Sequence, residues 1–174
     1  DEVVNDPKVI NNYIGRSLSE IHNLSHLIDD LFELSKLDTG HMDAQFVSAS
    51  ITDLISDVVS NLIAKAERKE IHLHGESASN IPPVIMAMDK IQRVLVNLID
   101  NAVKYTPENG KITIRAQAKS DHVRVDVHNT GKHIAQEHLP MIFDHFYRVE
   151  ESRTRTDDGE RSTGLGLAIA KAII

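Results

Sequence analysis

The sequence contains no cysteine, which excludes disulfides, thiolate metal sites and thiol nucleophiles. It has no tryptophan, and aromatic residues make up only 4% of it, so aromatic side chains are a minor part of any core. No apolar run approaches the length of a membrane span, and no signal-peptide pattern opens the chain. A long basic run is missing too, and the net charge is −7. That balance argues against general nucleic-acid binding and against an anionic membrane surface as the primary partner. The chain lacks a Gly-x-x-x-x-Gly-Lys-Ser/Thr phosphate loop and the signatures of eukaryotic protein kinases, so any nucleotide site must be built another way. Internal repeats and low-complexity tracts are absent. What remains is a chain of 174 residues, 41% apolar and 26% charged, ordinary for a soluble globular protein and long enough for one cored domain plus an appendage.

The most informative stretch is Asn97 to Tyr105, Asn-Leu-Ile-Asp-Asn-Ala-Val-Lys-Tyr. It ends a longer segment, 89–105, in which Ile91, Val94, Leu95, Leu98, Ile99 and Ala102 recur at helical spacing. On that helix Asn97, Asn101, Lys104 and Tyr105 line one stripe beside the apolar one. An Asn carbonyl oxygen is a hard ligand suited to Mg²⁺, which takes few protein ligands and completes its shell with phosphate and water. A lysine one turn further on reaches phosphate as a point charge, and a tyrosine ring offers a face to a flat base. Taken alone, the stripe is equally compatible with an amphipathic helix that has a polar edge.

Residues 8–37 read as one long helix, with Asp6-Pro7 as its start and Gly40 as its stop. Ile10, Ile14, Leu18, Ile21, Leu24, Ile28 and Leu31 step by threes and fours, a seam that wants a partner helix, widened by Leu27 and Leu34. His22 and His26 are four apart and could chelate a metal, but no third ligand is evident and two solvated helix residues is the simpler reading. Residues 44–48 suggest a short strand. Ser50 then caps a second amphipathic helix, with Asp53 in the capping-box position and Ile51, Leu54, Ile55, Val58, Leu62 and Ala66 on the core face. Strands are expected at 70–74 and 84–87, and an antiparallel hairpin at 111–118 and 122–128, turning at Ser120-Asp121. A short helix is expected over 136–143. Residues 150–162 carry hardly an apolar side chain and read as a mobile loop. Thr163-Gly-Leu-Gly-Leu167 opens a last helix, whose glycines permit close ligand approach and whose first N–H groups bind anions. The order predicts an α+β fold. It would be a two-layer sandwich with a mixed, largely antiparallel sheet and helices on one face, preceded by a long helix. A helical arm over 1–40 and an α/β domain over 41–174 are the expected units.

Taken together, these segments resemble the sensor histidine kinases of two-component systems, within the wider group of ATPases that includes gyrase, Hsp90 and MutL. Asn97 to Tyr105 resembles their asparagine box, Asn129 to Ile134 their first glycine box, Ile142 to Arg148 their phenylalanine box, and Thr163 to Ile169 their second glycine box. Residues 8–40 resemble the second helix of their dimerisation and phosphotransfer hairpin. The resemblance implies an ATP site with Mg²⁺, between the asparagine-box helix and a lid formed by the loop before Gly164. By matched positions, Asn101 would bind Mg²⁺ with Asn97 beside it, Lys104 and Arg148 would meet phosphate, and Tyr105 would pack near the base. Asn129, Gly131, Ile134 and Phe146 would border the nucleotide, and Thr163, Gly164, Leu165 and Gly166 would close over it. It further implies a cytoplasmic region of a membrane-anchored sensor, a parent homodimer formed through the helical hairpin, and a response regulator as phosphoryl acceptor.

Four positions depart from that group or divide it. The kinases normally carry Asp where Asn129 stands, as acceptor of the adenine amino group; Asn loses the charge-assisted component, a cost on the order of 1 kcal/mol. His133 replaces a glycine. The phosphoacceptor histidine is missing: of ten His none stands in its context, so no catalytic residue is assigned, and truncation of a longer protein is expected. Finally, the gyrase-like ATPases place a water-activating Glu where this chain has Asn97, and an amide cannot act as a general base. Transfer to a protein is therefore favoured over a plain ATPase; the helical arm argues against an anti-sigma serine kinase, and a non-catalytic nucleotide-binding module is the remaining alternative.

Overall fold

A computed structural model describes residues 7–39, 44–77, 80–149 and 163–174. Helix α1, Pro7–Asp38, starts at the predicted proline; Asp6 and Gly40, the expected cap and stop, lie outside the described residues. Strand β1, Phe46–Ala49, leads into α2, Ile51–Glu67. Ser50 caps that helix by accepting a hydrogen bond from the Asp53 N–H at 3.2 Å, as the sequence predicts. Strands β2, His72–Ser77, and β3, Val84–Ala87, precede α3, Met88–Tyr105. Then come β4, Lys111–Ala118, β5, Val123–Asn129, and the last helix α4, Gly166–Ile173.

The strands form two small sheets rather than one. β1 pairs antiparallel with β3, Phe46 opposite Ala87 and Ala49 opposite Val84. The other sheet has the order β2-β4-β5, with β2 parallel to β4 and the predicted β4–β5 hairpin antiparallel. The sheet is thus mixed, as expected. On β4 the alternation is complete: Ile112, Ile114 and Ala116 are buried while Lys111 and Arg115 face outward. The inward set packs against Leu54, Ile55 and Val58 of α2 and Leu95, Ile99 and Val103 of α3. Ile99, Val103, Val58, Ile112 and Ile114 are fully buried, each contributing about 1.5–3 kcal/mol of transfer free energy. The outward face holds ion pairs such as Arg115–Glu76 at 2.7 Å, so helices cover one side and water the other.

Two expectations are corrected. The strand expected at 70–74 starts at His72, because Glu70 adopts φ 55° and the Ile71 N–H donates to Ala66 O at 3.0 Å. That left-handed closure finishes α2 before extended backbone can begin. The helix expected over 136–143 is a run of turns. Pro140 has no N–H to give Gln136 O, and the segment falls back on three-residue bonds such as His138 N–H to Ala135 O at 2.9 Å and Met141 N–H to His138 O at 2.9 Å. The expected mobile loop over 150–162 lies outside the described residues. No described helix is long and apolar enough to cross a membrane.

Candidate functional site

Helix α3 positions the polar stripe by burying its other side. Val94, Leu95, Ile99, Ala102 and Val103 enter the core, which turns Asn97 and Asn101 to a half-buried flank. The Asn97 Nδ2 donates to Gly166 O at 3.1 Å, joining the stripe to the first residue of α4. A β-carbon on Gly166 would lie 3.4 Å from the Asn97 amide carbon, an ordinary packing distance, so the two helices already lie close together here. Asn101, one turn on, has no side-chain hydrogen-bond partner among the described residues and stays half-exposed.

The turn before α4 is packed back to back with the segment 146–148. Gly164 adopts φ 74°, and a β-carbon there would lie 2.9 Å from the Phe146 carbonyl carbon and 3.0 Å from Tyr147 O. Phe146 itself adopts φ 61°, and its N–H donates to Gly164 O at 3.1 Å. The Thr163 Oγ1 accepts from the Leu165 N–H at 3.2 Å, fixing the turn from within. His138 and Tyr147 pin the preceding turns through a 2.7 Å bond between Nδ1 and the phenol oxygen. Phe146 and Ile134 are exposed, and Arg148 is half-buried at the end of this segment.

A second group forms at the C-terminal end of α3. Lys104 Nζ lies 5.4 Å from the centre of the Tyr105 ring, whose other surroundings leave it 44% exposed. Beneath them, Asn129 Nδ2 donates to Thr106 Oγ1 at 3.2 Å, and Thr106 Oγ1 donates to Ala102 O at 2.6 Å. Gly131 closes this group: a β-carbon there would sit 2.2 Å from Tyr105 O and 2.6 Å from Asn129 Nδ2. Most of the predicted residues therefore fall into two groups about two turns apart along α3. Asn97 belongs with Phe146, Thr163, Gly164, Leu165 and Gly166, and Lys104 and Tyr105 belong with Asn129 and Gly131. Asn101 stands between. Ile134 is exposed at the surface. A cleft of about 460 Å³, lined by Phe143, Asp144, His145, Ala168, Lys171 and Ala172, includes none of the stripe residues.

Sequence reasoning missed three features here. One is Thr106, whose hydroxyl lies under Asn129. The second is the His138–Tyr147 pair. The third is the junction of α1 with this region. Arg93 bonds Asp30 Oδ1 at 2.7 Å and also contacts Glu33, whose Oε1 receives Lys90 at 3.0 Å. Asp30 Oδ2 accepts from Thr163 Oγ1 at 3.5 Å, and Leu34 packs on Leu165, Ala168 and Ile169. Burial pushes the Asp30 carboxyl above the usual aspartate range, against the opposing pull of Arg93. The signal was present only as paired charges three apart on each helix, Asp30 with Glu33 and Lys90 with Arg93. As for the histidines, the His22 Nδ1 lies 2.9 Å from Leu18 O of its own helix, and no group of three metal-ligating side chains exists among the described residues.

Known proteins resemble this chain over most of its length. A family model described as "Histidine kinase-, DNA gyrase B-, and HSP90-like ATPase" matches residues 87–174. The sensor histidine kinase CusS of Escherichia coli K12 is 32% identical over 169 residues, which cover 96% of this chain and 34% of that protein. The chain thus spans about a third of the length of the curated relatives it matches. Among solved structures, full-length ShkA in complex with AMPPNP matches 95% of this chain and 32% of its own, at TM-score 0.74 and 25% identity. The histidine kinase ThkA in complex with the response regulator TrrA matches 91% of this chain and 50% of its own, at TM-score 0.69 and 25% identity.

Proposed function

Because this chain belongs to the histidine kinase-, DNA gyrase B- and HSP90-like ATPases, we propose that it is the ATP-binding catalytic region of a sensor histidine kinase. Its parent would transfer the γ-phosphoryl group of ATP to a histidine and then to an aspartate of a response regulator. The observation that carries this reading is the Asn97–Gly166 hydrogen bond at 3.1 Å. It abuts the polar stripe of α3 and the glycine turn at the start of α4, two segments 69 residues apart that each suit a different part of a Mg²⁺–nucleotide.

The donor set fits a metal shared with a nucleotide, not a metal held by protein alone. Among the described residues no acidic or histidine cluster gathers, whereas the Asn101 amide is half-exposed on the stripe. Asn101 would supply one oxygen ligand to Mg²⁺, with phosphate and water completing the shell. When bound, the metal neutralises phosphate charge, which phosphoryl transfer needs more than covalent chemistry. Lys104 adds a positive charge one turn on. The Tyr105 face is now shared with Lys104, so a base packing there would sit against both groups. The Gly164–Gly166 turn offers backbone N–H groups at the start of α4.

Asn97 favours transfer over hydrolysis. Its amide cannot take a proton from water, and its N–H is already given to Gly166 O. The ThkA complex supports a response regulator as partner for a chain of this fold. The exposed seam of α1, from Ile10 to Leu31, supports a homodimer built along that helix. A cytoplasmic location for this region follows from the same reading. The test is a fluorescence titration with an ATP analogue, with and without Mg²⁺. Saturable binding strengthened by Mg²⁺ is the expected result. No binding at millimolar analogue would remove the nucleotide reading altogether.

A further inference from the structure

We propose that Thr106 is a positioning residue that sets which purine the site prefers, by fixing which way the Asn129 amide faces. The inference rests on the reading that Asn129 borders the nucleotide base. Asn129 differs from a carboxylate in having one end that donates and one that accepts, so its preference for a base depends on which end points outward. An adenine edge offers an amino donor where guanine offers a carbonyl acceptor. An outward amide oxygen therefore selects adenine, and an outward amide nitrogen selects guanine.

The hydrogen bonds around Asn129 decide the orientation. Thr106 is buried, only 6% exposed, at the end of α3. Its hydroxyl proton goes to Ala102 O at 2.6 Å, the shorter of its two bonds. A hydroxyl that has given its proton away can only accept from its other neighbour. It accepts from Asn129 Nδ2 at 3.2 Å, so the nitrogen faces inward. Gly131 packs over the same atom: a β-carbon there would lie 2.6 Å from Nδ2. The amide oxygen is left on the outer side, with no hydrogen-bond partner among the described residues.

The relay can also run backwards. If the Thr106 hydroxyl donated to the Asn129 oxygen, the amide nitrogen would face outward and the site would accept guanine. Ala102 O would not be orphaned, because the Thr106 N–H also reaches it at 3.0 Å. The preference for adenine therefore rests on little more than the single 2.6 Å bond, and ~10-fold is the selectivity that one net hydrogen bond supports. A carboxylate at 129 has no donor end and would discriminate more sharply.

The experiment measures affinities for AMPPNP and GMPPNP, both with Mg²⁺, in this chain and in Thr106→Val, Thr106→Ser and Asn129→Asp. The readout is the ratio of the two affinities, which a merely structural loss at Thr106 would not move. The wild-type chain is expected to prefer adenine by ~10-fold, the worth of about one net hydrogen bond. Thr106→Val should bring the ratio close to unity, and Thr106→Ser should keep it. Asn129→Asp should raise it, since guanine then meets only acceptors. An unchanged ratio in Thr106→Val, or loss of the ratio in Thr106→Ser, would overturn the role of the hydroxyl. Should Thr106→Val not fold, Asn129→Asp decides: an unchanged ratio there means that residue 129 does not read the base edge. Failure of the wild-type chain to bind either nucleotide would count against the ATP-site reading itself, an outcome distinct from equal binding of both.

Discussion

Asn97 and Asn101 are the same residue one turn apart, yet their amides differ in what they already hold. Asn97 is committed to Gly166 O, while Asn101 has no side-chain partner among the described residues. Truncating Asn101 therefore exposes no apolar surface and breaks no bond within the described fold. Asn101→Ala is expected to melt like the wild type without ligand. It should lose the extra thermal shift that Mg²⁺ adds to an ATP analogue; ligand at 100-fold its Kd is worth about 5–10 °C in a chain this size. Mg²⁺ without nucleotide should shift neither protein. A Mg²⁺-dependent shift that survives in Asn101→Ala would move the metal elsewhere. Asp30 makes a different prediction, on pH. Burial raises its carboxyl above the ordinary range, so the folded chain binds that proton more tightly than the unfolded one. Its contribution to stability is full below the unfolded value and is lost as pH rises through the raised one. Asp30→Asn mimics the protonated form and still accepts from Arg93. It should melt at or slightly above the wild type at neutral pH, by less than the ~2–4 °C that 1 kcal/mol is worth. The difference should vanish in acid, toward ~pH 3. A variant less stable than wild type at neutral pH would show that the Arg93 attraction outweighs desolvation.

At the scale of elements, the junction between α1 and α3 is a network, and its members should not act independently. Glu33 is only 9% exposed and contacts both Lys90 and Arg93. Removing one partner leaves a buried charge without its complement, which is worse than removing both. A double-mutant cycle with Glu33→Gln and Arg93→Met, measured by urea unfolding, should give a coupling of about 1 kcal/mol or more. Additive effects within ~0.3 kcal/mol would mean the two side chains are not coupled. This junction marks where sequence reading stops. The Ser50 cap, the β4–β5 hairpin and the apolar face of α3 were legible because each depends on residues within one or two turns. The meeting of Asp30 with Arg93 spans 63 residues and depends on how two helices cross, which periodicity does not encode. The turns at 136–143 were misread for a local reason, since Pro140 withdraws its donor from a segment whose apolar spacing is otherwise helical. The boxes themselves were legible as residue types. The hydroxyl of Thr106 was not, because its importance lies in a bond to a residue 23 positions away.

At the scale of the whole molecule, the unusual surface is α1. Ile21 and Leu24 are each 64% exposed, and Ile10, Ile14, Leu18, Ile28 and Leu31 are exposed with them along the predicted seam. A stripe of that length is large for a chain that works alone. Leu24→Glu should convert a concentration-dependent dimer into a monomer in sedimentation velocity while leaving analogue binding unchanged. A wild-type chain that stays monomeric at high micromolar concentration would rule out pairing through this helix alone. The same helix has a mechanical consequence. Its 32 residues span about 48 Å, and the ion pairs and apolar packing that join it to α3 and α4 at Asp30, Glu33 and Leu34 lie near one end. It is a shaft keyed at its foot. Sliding along its axis by a fraction of a turn would stretch these contacts unevenly. Turning by about 100°, the angle of one residue, would carry all three side chains off their seats together. Because Asp30 also bonds Thr163 and Leu34 packs on Leu165, that rotation would be felt at the turn that begins α4, while the apolar layer between the sheet and α2 and α3 keeps its packing.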